Sequence, residues 1–255
     1  MKRQNLTFAK GKSTLLLMFL AAGISFGVTS CSKDDKDEAT PGVTNENAAV
    51  MVSQSVTSQG GLVTQIEAST LTVSALEARK AEGGRLSDFC GKTEKDTVAF
   101  SGNGNGTSFS YALYWSYGLQ CLQDIPSAFN FEANGTISLG MEKFSSSSTY
   151  ASQYTLRGLG ANSANWEISQ KYDATGKLES KTTDMPSYTS EIHYESTDIK
   201  VSKTTHMIVS GTATAKISGK DSKGNAFSYS GMITFKGNKK ATYVISGGGT
   251  FELQW

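Results

Sequence analysis

From about Asp96 to Trp255 the apolar and polar side chains alternate with a period of two, the repeat of a half-buried β-strand. Residues 109–121 show it best: Phe109, Tyr111, Leu113, Trp115, Tyr117, Leu119 and Cys121 share one face. Ser108, Ser110, Ala112, Ser116 and Gln120 share the other, with Tyr114 as the exception. The same alternation recurs at Phe129/Phe131, Ile137/Leu139, Trp166/Ile168, Phe227/Tyr229/Ile233/Phe235, Tyr243/Ile245 and Phe251/Leu253/Trp255, as in an antiparallel sheet with one buried face. Turn chemistry separates these runs: Asn134-Gly135 suits a type I′ hairpin, and 173–176, 221–225, Gly237-Asn238 and 247–249 supply further turns. The last three strands, near 226–236, 240–246 and 250–255, are expected to be sequential antiparallel neighbours.

Before Asp96 the spacing is helical. Residues 46–82 read as two helical stretches split by Gly60-Gly61, with Val52 and Val56 one turn apart in the first. In the second, Leu62, Ile66, Val73 and Leu76 form one apolar stripe, Glu67, Glu77 and Arg79 lie away from its centre, and Gly83-Gly84 supplies the stop. The expected fold is mostly β: an antiparallel meander sheet, curved or forming an incompletely closed barrel, with one or two N-terminal helices packed against it. A helix needs an apolar surface to dock on, and the sheet's inner face is the one available. Any ligand pocket is then expected between sheet and helix. No internal repeat is present, which argues against a propeller or solenoid.

The first thirty residues follow a different rule. Lys2, Arg3, Lys10 and Lys12 precede an apolar run over 14–28, and small residues then lead directly to Cys31. That is the order of a secretory signal, and the run is shorter than the roughly 20 apolar residues that cross a bilayer. Cys31 then stands where a lipobox carries its lipidated cysteine, although Val28 and Thr29 depart from that pattern's commonest residues. Several acyl chains at about 0.8 kcal/mol per buried methylene would anchor the protein without a span. Losing the four leader cations reduces 24 basic residues to 20, against 23 acidic ones, so the mature chain is mildly acidic. It has no dense Lys/Arg face for phosphate backbones, and nucleic acid is not an expected partner. The expected segments are a signal peptide at 1–30, a lipidated acidic tether at 31–45, helices at 46–84 and a β domain at 85–255.

Cys31-Ser32-Lys33-Asp34-Asp35 resembles the export signal of surface lipoproteins in Bacteroidota, in which a Lys or Ser and two acids follow the lipidated cysteine. The order of acidic tether, Gly-Gly-split helices, Cys90, Asp96-Thr97-Val98, the Tyr-rich strand to Cys121 and the closing run from Ser210-Gly211-Thr212 to Trp255 is also similar to lipoproteins of that group. The resemblance implies an outer-membrane lipid anchor facing the cell surface, with the periplasmic face as second choice, and a shared β-rich fold. It carries over no catalytic residue. It also marks Thr97 as an O-glycosylation position, with a plain strand start as the equal alternative.

With Cys31 acylated, Cys90 and Cys121 remain, and an oxidising compartment favours a disulfide between them over two separate buried thiols. Chemistry is otherwise sparse. His193 and His206 have no Cys, His or acidic neighbour at a zinc spacing and read as strand residues, so no metal and no cofactor is expected. No Gly-x-Ser-x-Gly elbow is present, the Gly102–Gly106 run lacks the Lys of a phosphate loop, and Glu191/Glu195 are ordinary strand-spaced acids. No catalytic residue is assigned. The aromatic face is the remaining ligand surface, with Trp115, Tyr117 and Trp166 as candidate contacts for a glycan, a lipid or an envelope protein. The expected function is non-enzymatic ligand binding or a structural role at the envelope. The alternatives are a hydrolase acting on glycans or lipids and a lipid-carrier-like half-barrel.

Overall fold

The computed structural model describes residues 42–57, 61–78, 85–104, 106–160, 162–183 and 186–255. The leader, Cys31, nearly all of the tether and Gly83-Gly84 lie outside the described residues. Two helices come first, α1 (Asn45–Thr57) and α2 (Leu62–Ala78), followed by a short 3-10 turn at Leu86–Phe89. Thr44 caps α1: its hydroxyl accepts the Asn47 amide at 3.3 Å while the Asn47 side chain takes the Thr44 N–H at 3.1 Å, a reciprocal cap. Val52 and Val56 on α1, and Leu62, Ile66, Val73 and Leu76 on α2, are all buried, as the stripe requires. Among the described residues no helix is long and apolar enough to cross a membrane.

Ten strands follow: β1 (Thr93–Gly104), β2 (Thr107–Leu122), β3 (Ile125–Gly140), β4 (Phe144–Arg157), β5 (Asn165–Ser180), β6 (Tyr188–Ser202), β7 (Ile208–Asp221), β8 (Ala226–Gly237), β9 (Lys240–Ile245) and β10 (Thr250–Gln254). Each pairs antiparallel with its sequence neighbours, so spatial order equals chain order from β1 to β10. The two end strands do not pair with each other and the sheet is an open meander, not a barrel. Its final three strands are sequential neighbours, as the turn residues require.

Two expected turns are not turns. Asn134-Gly135 lies inside β3, and the segment 173–176 lies inside β5. The reason is room rather than backbone reversal. A Cβ at Gly135 would lie 2.1 Å from the Ala112 carbonyl oxygen and 2.7 Å from Tyr150 Oη; one at Gly176 would meet the Ser147 oxygen and Ser148 Cβ at 2.8 Å. Glycine lets the neighbouring strands approach, as glycines inside strands often do. The real hairpin after β2 uses Gln123 and Asp124, both at positive φ, where no glycine marks the sequence. A similar pair, Asn238 and Lys239, reverses the chain between β8 and β9, one residue later than expected.

The core lies between the helices and the sheet's inner face. Tyr154 donates its hydroxyl to the Gln65 carbonyl of α2 at 3.4 Å and Tyr194 to the Val52 carbonyl of α1 at 3.4 Å. Tyr229 donates to the Val43 carbonyl, and Trp255 Nε1–H donates to Glu67 at 3.3 Å. These side chains pack a ring against the sheet and still satisfy their polar tip on a helix or, for Tyr229, on the segment that enters α1, which is how tyrosine and tryptophan serve an amphipathic boundary. Burial then raises the pKa of the Tyr154, Tyr172 and Tyr194 hydroxyls far above the usual phenol value.

Candidate functional site

Cross-strand partners share a face, so the register traces one inner-face row across the sheet: Asp96, Trp115, Ala133, Ser152, Tyr172, Tyr194. Burial rises steadily along it. Tyr194, Tyr172 and Ser152 are at most 2% exposed and Ala133 is 5% exposed, whereas Trp115 is half-buried and Asp96 is exposed. The helices therefore cover the middle and far side of the sheet and leave the β1–β2 side open. On that rim Phe109, Tyr111, Leu113, Trp115 and Tyr117 are half-buried, and Phe100 is 43% exposed.

Packing holds the rim rings in place. The Trp115 and Tyr117 centroids lie 5.4 Å apart; Tyr117 stacks on Phe131 at 5.7 Å, and Phe131 stacks on Tyr154 at 4.8 Å with planes 6° apart. This aromatic series runs from the open rim into the helix-covered core. Trp115 Nε1 is shielded yet has no hydrogen-bond partner, an arrangement that costs about 1–3 kcal/mol for a buried donor. Trp166 does not join the rim. It is 1% exposed at the start of β5, with the His206 ring tilted against it at 5.5 Å and Lys203 Nζ 5.6 Å from its ring. Its burial removes it as a stacking surface, because its neighbours already occupy its faces.

At the base of the rim, Cys90 and Cys121 stand at disulfide distance, with S–S 2.04 Å and Cα–Cα 5.6 Å. They join the 3-10 turn to the end of β2. Thr97 is exposed on β1, opposite Tyr114 on the outer face, and its N–H donates to Asp96 Oδ1 at 2.7 Å.

The histidines separate. His193 sits on the outer face of β6 with Nδ1 2.6 Å from Asp173 Oδ1. The pair lies in a shallow cleft of about 360 Å³ together with Lys216, Ser228 and Ser230. His206 is not in a strand: it occupies the β6–β7 connection at φ 57°. Glu191 and Glu195 project from β6 at exposed positions, and Glu195 pairs with Lys171 at 3.4 Å. Asp173 and His193 were too distant in sequence to be linked by any motif; only the β5–β6 register brings them opposite each other. No described group of three His, Cys, Asp or Glu side chains could hold a metal.

The space expected to hold a ligand between helix and sheet is largely filled by Tyr154, Tyr172, Tyr194 and the α1 and α2 stripes. A cleft of about 560 Å³ does lie at the margin, where 42–46 enters α1 across Phe227 and Tyr229 of β8. Comparison with protein families, with curated proteins and with solved structures finds no match to this chain.

Proposed function

We propose that this protein is an exported, lipid-anchored and non-enzymatic binding module of the cell envelope, held through Cys31 and presenting the β1–β2 rim as its ligand surface. The observation that carries the reading is the burial gradient along the inner-face row, which leaves Phe100, Tyr111, Trp115 and Tyr117 partly open beside the helix-covered centre of the sheet. Open aromatic area on a rigid sheet suits recognition, because rings add contact area at little entropic cost. The export signal and the acidic tether favour a surface-facing anchor.

The competing hydrolase reading has one observation in its favour, the Asp173–His193 pair in its outer-face cleft. Both side chains are exposed, and a nucleophile would have to come from the serine and threonine hydroxyls that line the cleft, Thr175, Ser218, Ser228 and Ser230. The carrier reading has less support, since the helix–sheet space holds packed core side chains.

Two measurements test the proposal together. Cys31→Ala should move the protein from the membrane to the soluble fraction; an unchanged membrane fraction overturns the anchor. With Trp166 and Trp255 replaced by Phe, the emission of Trp115 becomes the reporter for glycans, lipid vesicles and peptides prepared from the envelope. A Trp115 signal that none of them alters overturns the rim as a binding surface.

A further inference from the structure

The two edges of the sheet are unlike. β10 has only five residues, and its margin is engaged by the helices: Trp255 donates to Glu67, and Gly248 lies against Asn45. β1 has twelve residues, no proline and no buried side chain, and among the described residues no strand pairs with its outer side. A long, unpaired edge is a template for another strand unless charge, proline or a cover blunts it. Here charge is confined to one half of β1, at Glu94, Lys95 and Asp96; Val98 to Gly104 carry none.

The register places these charges by face. Glu94, Asp96, Val98 and Phe100 pair with Tyr117, Trp115, Leu113 and Tyr111, so all four belong to the inner face; Lys95 belongs to the outer one. An incoming strand would therefore meet, on the rim side, two carboxylates followed by two apolar side chains. Neither carboxylate has a cationic partner among the described residues, and Asp96 spends one oxygen on the Thr97 amide. Directly opposed side chains on neighbouring strands have Cβ atoms about 4.5–5.5 Å apart, within salt-bridge reach for Lys or Arg. The Tyr117 and Trp115 rings stand one strand further in, where a long cationic side chain can also reach a ring face.

We propose that the free edge of β1 takes up an extended segment of a protein partner as an eleventh, antiparallel strand. The segment carries, from its N-terminus, two apolar residues and then two basic residues at alternate positions. The apolar pair lies beside Phe100 and Val98, and the basic pair beside Asp96 and Glu94. An acidic residue between the two basic ones faces Lys95. Main-chain hydrogen bonds to the edge supply affinity, and the alternating side chains supply selection, as in other strand-addition complexes. The proposal rests on the rim being the binding surface and names its partner class.

The test uses the full purified protein and a short synthetic peptide reading valine, threonine, valine, threonine, lysine, glutamate, lysine. Binding is followed by titration calorimetry, and by Trp115 emission in the same protein with Trp166 and Trp255 replaced by Phe. Saturable binding is expected, weakened by salt, and about fivefold to tenfold weaker for the Glu94→Gln/Asp96→Asn double variant, given two exposed charge pairs. A peptide with both lysines replaced by glutamate should bind more weakly still. Equal affinity for the two peptides, or for the variant and the parent, overturns the proposal. So does sedimentation showing that a second copy of this chain occupies the edge. If Trp115 responds to a glycan or a vesicle and to neither peptide, this inference fails while the rim remains a binding surface.

Discussion

Removing the Cys90–Cys121 link tests how the open side of the sheet is held. The cysteines are separated by 31 positions in sequence, and the ring they close contains all of β1 and most of β2. β1 has no buried side chain, so its attachment depends on hydrogen bonds to β2 and on this closure rather than on apolar burial. In the chain-entropy account, a closed loop of about 32 residues removes about 12 cal/mol/K from the unfolded chain, or about 3.7 kcal/mol at 25 °C. A Cys90→Ser/Cys121→Ser variant should therefore lose about 3–4 kcal/mol of global stability, a large share of the roughly 5–15 kcal/mol typical of a domain. Urea unfolding followed by circular dichroism reads the midpoint, and native-state hydrogen exchange reads the β1 amides. Those amides should exchange faster in the variant than the amides of β5 and β6, because the edge can open locally once its base is untied. A loss below about 1 kcal/mol, with β1 exchange unchanged, would refute the view that the link holds this edge.

Two further outcomes follow from the packing. Gly135→Ala should destabilise by about 1–3 kcal/mol, since its Cβ would strike the Ala112 backbone oxygen, which cannot swing aside. Gly104→Ala, where a Cβ meets nothing within 4 Å, should stay within about 0.5 kcal/mol of the parent; equal urea midpoints for the two variants would contradict the assignment of Gly135 to a strand interior. Alkaline titration is the other. Burial raises the Tyr150, Tyr154, Tyr172, Tyr188 and Tyr194 hydroxyls above the phenol range and pushes Tyr243 up to about 12. An unfolded chain ionises near pH 10, so the stability these groups contribute is fully present below that pH and is lost as pH rises toward their folded values. Absorbance at 295 nm should show them ionising together with the loss of circular dichroism above about pH 10; reversible ionisation near pH 10 with the fold intact would refute their burial.

How far the sequence could be read depended on the range of the signal. Leu62, Ile66, Val73 and Leu76 repeat at helical spacing, and their burial followed from that spacing. The closing strands did as well, because the stretches 221–225 and 247–249 join them with local turn chemistry. The errors also have local causes. Asn134-Gly135 has the composition of a type I′ turn, but its glycine answers a need set by Tyr150 and Ala112 on the adjacent strands. The Gln123-Asp124 hairpin has no glycine to announce it. Trp115 and Trp166 both carried an apolar alternation, and nothing in their own neighbourhoods distinguishes an open ring from one enclosed by His206 and Lys203.

By itself, the sequence determined the strand and helix classes, the export and anchor expectations, and the alternation that gives the sheet one apolar face, because each is written in residues a few positions apart. The tertiary structure alone decided how much of that face the helices cover, which leaves Trp115 on an open rim and buries Trp166. It also decided that Asp173 meets His193 and that β1 is an unpaired edge among the described residues, whereas the Cys90–Cys121 pairing was already expected from the sequence. Those outcomes depend on register and on where two helices come to rest, and register couples residues tens of positions apart through backbone hydrogen bonds that no local pattern encodes.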